Sequence, residues 1–284
     1  MYPGRFIGNG GEAHSMGEEG VVTMNGRPVL GTLLDPSGDT HARELSFALA
    51  RDEDAPVRFL SPLRAPDAAA QHAASAPTDG PPVRFGPTDD SLSPGRSPDA
   101  VVAQEAATTA AGVVTIERPA SESSGAGIRR GVTDRIVASA PTDAVVANGR
   151  GDLRDLASIL VPVAGGPHTE LAVETARALA NHTDAWVELF TVVPEDPTAD
   201  ERSAGADCLA TARQSLGPFE QFDTWLYEHD DPAMAIAEQS DYYDAVVMGA
   251  PTKGRIRRTV FGSTADSVDR TVDIPVVTAV SDDA

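Results

Sequence analysis

The stretch Asp244 to Asp269, DAVVMGAPTKGRIRRTVFGSTADSVD, decides how the rest of the chain is read. Ala245 to Met248 is apolar without alternation, the mark of a strand covered on both faces. Gly249, Gly254 and Gly262 punctuate the loop that follows, and Pro251 stiffens it. Ser263-Thr264 stand where a helix N-cap stands, before Val268 and Val272 recur at helical spacing. A strand that empties into such a loop and restarts as a helix turns unpaired backbone N–H groups toward one point, where a phosphate can sit.

Charge sharpens this reading. The chain has 22 basic residues against 43 acidic ones, yet Lys253, its single lysine, falls with Arg255, Arg257 and Arg258 in one short run. An anionic ligand explains a basic cluster in so acidic a chain; pairing with neighbouring carboxylates or with a second subunit is the plainer account.

Working outward, the second half repeats one pattern. Ile159 to Val163, Trp186 to Val193, Phe222 to Tyr227, Ala245 to Met248 and Ile274 to Val280 read as strands, and helices are expected over Thr169 to Ala180, within Pro197 to Leu216, and from Ala233. The first half does the same, with strands at Pro28 to Leu34, Val57 to Leu60, Val83 to Phe85, Val113 to Ile116 and Ala144 to Ala147. Its helices are expected over Ala42 to Ala50, Ala100 to Ala110 and Ile128 to Ala138. Ser97-Pro98 and Asp231-Pro232 are matching helix starts, an N-cap followed by proline in the first turn. Such alternation predicts two α/β domains, each a doubly wound parallel sheet. The expected division is a loosely attached arm over 1–26, a first domain over 27–149 and a second over 150–284, with 151–284 able to fold alone.

Composition bounds the function. A net charge of −21 with pI near 4.5 is the balance of proteins from very salty cytoplasm, a halophilic, haloarchaeal-like source. A field of that sign repels nucleic acid. No apolar run reaches the roughly 20 residues that span a bilayer, so no membrane insertion and a cytoplasmic location are expected. Cys208 alone gives no disulfide framework and reads as a packed hydrophobe. His14, His41, His72, His168, His182 and His229 show no metal-ligand spacing and read as surface residues, and Asp230-Asp231 and Asp282-Asp283 read as solvated charge. No nucleophile elbow, Cys/His pair or Walker loop occurs, which points away from an enzyme.

The second half resembles the universal stress protein (UspA) family. Ile159-Leu160-Val161-Pro162-Val163 is similar to that family's first strand, and Val247-Met248-Gly249 with Gly262-Ser263 resembles its nucleotide-binding loop, G-x2-G-x9-G-[S/T]. The resemblance implies a Rossmann-like, adenine nucleotide alpha hydrolase-like fold with strand order 3-2-1-4-5, and an adenine nucleotide, ATP or AMP, in the crevice between first and fourth strands. Pro162, Ala164, Gly165, Val192, Met248, Gly249, Gly262, Ser263 and Thr264 would line it, with Val192 and Met248 beside the adenosine and Gly262 to Thr264 on the phosphates.

Two departures weaken the expected binding. Thr252 replaces the middle glycine, with Gly254 and Arg255 close behind it, and Ala164 stands where nucleotide-binding members carry Asp. One lost charged hydrogen bond forfeits about 1.5–3 kcal/mol. The first half resembles the family more faintly: it has Asp35 near the matching place, but Gly127 to Thr133 is too short for the loop. The implied protein is a regulatory module with two such domains paired within the chain or as a homodimer. The alternative is an interaction or dimerisation module without nucleotide, for example one regulating a transporter.

Overall fold

Unbroken apolar runs in this chain become strands buried on both faces, and the runs with helical spacing become the helices that bury them. The computed structural model describes residues 26–34, 40–62, 80–86, 95–118, 131–148, 150–250, 267–269 and 271–282. In chain order these form β1 (Val29–Thr32), α1 (Thr40–Asp52), β2 (Val57–Leu60), β3 (Val83–Phe85), α2 (Pro98–Thr109), β4 (Val113–Glu117), α3 (Val132–Ser139) and β5 (Asp143–Ala147). The series continues with β6 (Ser158–Pro162), α4 (Thr169–Thr183), β7 (Trp186–Val193), α5 (Ala199–Ser215), β8 (Phe222–Glu228), α6 (Pro232–Ser240), β9 (Ala245–Gly249) and β10 (Val276–Val280).

The ten strands among the described residues join one sheet, ordered β3-β2-β1-β4-β5-β10-β9-β6-β7-β8. Every pairing is parallel except the central one, where β10 runs antiparallel to β5 with Val277 opposite Ala147 and Val280 opposite Ala144. Read outward from this seam, each side has the same order, so the 3-2-1-4-5 arrangement appears on one side and its counterpart on the other. Parallel strands need crossover helices, and these cover both faces of the sheet.

On one face α1, α4 and α5 contribute Leu45, Leu49, Leu171, Leu179 and Leu209 to a core that runs from Val29 through Ile159 to Ala279. On the other, α2, α3 and α6 add Val102, Ile136 and Ile236 to a second core that also spans both sides of the seam. The two halves therefore share their cores, where each was expected to enclose its own. Phe59 and Leu30 are fully buried in these layers, at about 1.5–3 kcal/mol each from removal of apolar surface from water.

Polar contacts close the seam. Arg177 on α4 donates to Asp52 on α1 at 2.8 and 3.0 Å, and Asn181 donates to the same carboxylate at 2.7 Å. Asp231 caps α6 as expected, accepting from Ala233 and Met234, and Asp230 accepts the Glu195 N–H at 3.0 Å, so this pair is engaged and not free solvated charge. Ser97 makes no side-chain cap bond; Pro98 alone marks that start. At α5 a reciprocal box forms, with Thr198 accepting from the Glu201 N–H and Glu201 accepting from the Thr198 N–H.

Candidate functional site

The parallel strands on the β6 side point their carboxyl ends at one crevice. The chain winds from β6 to β7 in one direction and returns to β9 in the other, so the ends of β6 and β9 part above the sheet. That is the place where doubly wound sheets hold ligands. A cavity of about 520 Å³ opens there, between the ends of β6, β7 and β9 and the starts of α4 and α6, with α5 along one wall. Its size lies in the range of about 300–1,000 Å³ usual for small-molecule sites.

The structure brings Pro162, Ala164, Val192, Met248 and Gly249 to this cavity. Gly165 sits just outside its wall in a left-handed conformation (φ +69°), where a Cβ would stand 2.9 Å from the Cys208 sulfur. Thr252, Gly254, Arg255, Gly262, Ser263 and Thr264 lie outside the described residues, as does the rest of the basic run.

Gly249 explains how strand and helix come so close. A Cβ there would meet the carbonyl carbon, Cβ and oxygen of His168 at 3.0 Å, so the end of β9 lies against the first residue before α4. A side chain here would force the two segments apart by a few tenths of an ångström, and glycine removes that need. The start of α4 is thereby held at the mouth of the cavity, with the first N–H groups of the helix unsatisfied by the helix itself.

His168 is only 9% exposed, which corrects its reading as a surface residue. The backbone N–H of Ser281 donates to its Nδ1 at 3.0 Å, so the neutral ring carries its proton on Nε2. Burial lowers its pKa below the ordinary value and outweighs the opposing effect of Asp143, which favours that neutral form. Among the lining residues that sequence reasoning missed are Glu201, whose pKa the Thr198 hydrogen bonds pull down, and Cys208 on α5. The Pro197 to Leu216 helix was legible, but which of its faces meets the cavity is set by the packing of Gly205 against Val193 and Leu226.

Among the described residues, the start of α1 on the β1 side is met by a carboxylate of the chain itself. Glu117, the last residue of β4, accepts the His41 backbone N–H at 2.8 Å, and its other oxygen lies 3.2 Å from His41 Nδ1. His41 Nε2 donates to the Arg150 carbonyl at 3.0 Å. Burial works against the His41 cation, but the Glu117 hydrogen bond and charge prevail and the pKa ends above its ordinary value. At 4% exposure His41 is a second correction to the surface reading. An internal carboxylate thus occupies the start of α1, where an anion would otherwise be drawn.

Among the described residues no cluster of His, Cys, Asp and Glu is arranged to hold a metal, and no helix is long and apolar enough to cross a membrane.

Residues 157–279 match the Universal stress protein family. Solved structures share the fold over almost the whole chain. A Pseudomonas aeruginosa UCBPP-PA14 protein classed with the universal stress proteins is 16% identical, with a TM-score of 0.59, over 90% of this chain and 94% of its own. A universal stress protein from Archaeoglobus fulgidus DSM 4304 is 14% identical at a TM-score of 0.54, over 92% and 99%. The cytoplasmic domain of a prokaryotic cation chloride cotransporter is 12% identical at a TM-score of 0.56, over 91% and 96%. No curated protein matches the sequence.

Proposed function

We propose that the chain is a non-enzymatic, cytoplasmic regulatory module of the universal stress protein kind, which binds an adenine nucleotide weakly and only on the β6 side. The division at 27–149 and 150–284 then separates a first domain with its own carboxylate at the start of α1 from a receptive second one. The observation that carries this reading is the cavity at the parting of β6 and β9, with Val192 and Met248 on its walls and the start of α4 held against Gly249. The apolar walls suit a base and the helix start suits an anion. The basic run after Ala250 adds attraction for phosphates. The Glu117 carboxylate at the start of α1 disfavours an anion there, which supports a single site per chain.

Titration calorimetry with ATP and with AMP at high salt tests the proposal. One site per chain is expected, strengthened by Ala164→Asp, which restores a charged hydrogen-bonding group, and lost in Val192→Trp, which fills the cavity. No binding in either the wild type or Ala164→Asp would overturn it.

Ala164 favours a second reading, an interaction module that has no nucleotide, because it leaves that wall of the cavity without a carboxylate. The fold shared with a transporter's cytoplasmic domain is in keeping with this second reading.

A further inference from the structure

The edge strand β8 has two unlike faces. Toward α5 it presents Phe222, Leu226 and Glu228, and there the chain supplies the cations that such groups attract. Arg202 lies 2.8 Å from Glu228, and the Arg213 guanidinium stands 5.6 Å from the centre of the Phe222 ring.

Toward α6 the same kinds of group recur without that complement. Trp225 and Tyr227 alternate along β8 and meet at 5.0 Å between ring centres; both pack on Phe190 of β7, at 5.4 and 5.7 Å, and Tyr227 stacks on His229. Trp186, two positions along β7 from Glu188, is 45% exposed, and Tyr243 packs against the same cluster. Tyr242 beside it is 78% exposed and Met234 on α6 is 55% exposed. Both tryptophans of the chain thus lie on β7 and β8, the two outermost strands of this side.

Two carboxylates stand in register within this face, Glu188 on β7 opposite Asp223 on β8. None of the described cations pairs with either, whereas Glu228 across the strand has its arginine. Partial burial, and then the neighbouring Asp223 charge, raise the Glu188 carboxyl above its usual range, as expected of an acid lacking a counter-charge.

We propose that this aromatic face is a docking surface for a basic, arginine-bearing segment of another protein. A guanidinium placed between Glu188 and Asp223 pairs with carboxylate and lies flat on an indole, as an ammonium cannot. The occupant's charge follows from complementarity: the face is acidic, and the chain as a whole, at −21, opposes a second copy of itself and any polyanion. Exposed aromatic side chains around a half-buried charge are what protein interfaces use as anchors. None of Trp186, Glu188, Asp223 or Trp225 lines the cavity beside β6 and β9, although Phe190 beneath the aromatic rings does.

Because both tryptophans lie here, intrinsic fluorescence of the full chain reports on this surface directly. The probe is a short peptide of alternating arginine and glycine, compared with its lysine counterpart at equal ionic strength. A saturable change in emission is expected, tighter for arginine than for lysine. The double variant Glu188→Gln/Asp223→Asn should weaken it by about tenfold, roughly 1.4 kcal/mol. The charge-matched Asp200→Asn/Asp207→Asn, on α5 across the sheet, should leave it unchanged. Equal weakening by the α5 pair would mean general attraction to an acidic chain and would overturn the proposal, as would an absent or unsaturable response. An emission change that follows protein concentration without peptide would assign the face to a second copy, and overturn it too.

Discussion

Arg118 donates to Asp269 at 2.9 Å, an ion pair that ties the chain just beyond β4 to the helical turn at 267–269 on the far side of the seam. Asp269 is buried and also accepts from Asn148 at 2.9 Å, while Arg150 reaches the carbonyls of Asp269 and Val272. Asn148 in turn accepts the Val276 N–H at the start of β10. The turn that follows the 251–266 stretch is therefore anchored by the other half of the molecule.

Arg118→Met should lower stability by about 1–3 kcal/mol, since it leaves a buried carboxylate with fewer donors. Urea unfolding measures this. If the proposed nucleotide site extends to the 251–266 stretch, the same variant should also weaken ATP binding several-fold; unchanged stability would show that Asn148 and Arg150 satisfy Asp269 without help.

The His41–Glu117 contact predicts a pH dependence. A raised folded-state histidine pKa contributes stability that is full below the unfolded value of about 6.5 and is lost as pH rises through the higher folded value. Thermal melts should therefore fall in midpoint as pH rises from below 6.5 upward. Glu117→Gln should flatten that slope; a slope unaltered by it would place the titration elsewhere.

Glu174 on α4 gives a second, separate window. Burial lifts its pKa to about 7, against the opposing charge of Arg177. A carboxyl raised in this way contributes stability that is present below about 4.5 and is lost as pH rises through about 7. Glu174→Gln keeps a neutral group there, so it should stabilise the protein at pH 8 by on the order of 1–2 kcal/mol, discounted for partial solvent screening, and change little at pH 4. Equal effects at both pH values would refute the assignment.

Residues 150–284 expressed alone should not remain monomeric. Removing β5 leaves the backbone edge of β10 unpaired along Val276–Val280 and strips apolar surface from both shared cores. Sedimentation should show a dimer or larger species, and a stable monomer would show that the seam contributes little.

Much of the fold was legible because strands buried on both faces announce themselves. Val57 to Leu60 and Trp186 to Val193 fall where the apolar runs place them, the half-exposed edge strand Val83 to Phe85 also matches, and other strand ends differ by a residue or two. The antiparallel seam was not legible. Ala144 to Ala147 and Val276 to Val280 read like any other buried strands, and hydrophobicity carries no record of strand direction. Placement of His41 and His168 was hidden for a related reason: their partners Glu117 and Ser281 lie 76 and 113 residues away.

At the cavity, Val192, Met248 and Gly249 are residues that the family resemblance names, while Glu201 and Cys208 depended on the rotation of α5. The aromatic face had one local sign, Trp225 and Tyr227 two residues apart in an alternating strand. Trp186 and Glu188 join them only through the β7–β8 register.

The seam between β5 and β10 also sets what the two sides are free to become. Were identical subunits joined edge to edge in this way, symmetry would oblige both crevices to be alike, and any change that sealed one would seal its twin. A single chain is released from that obligation. Here the start of α1 carries its own carboxylate while a cavity lies open beside β6, so the two sides of the seam have become unlike within one chain.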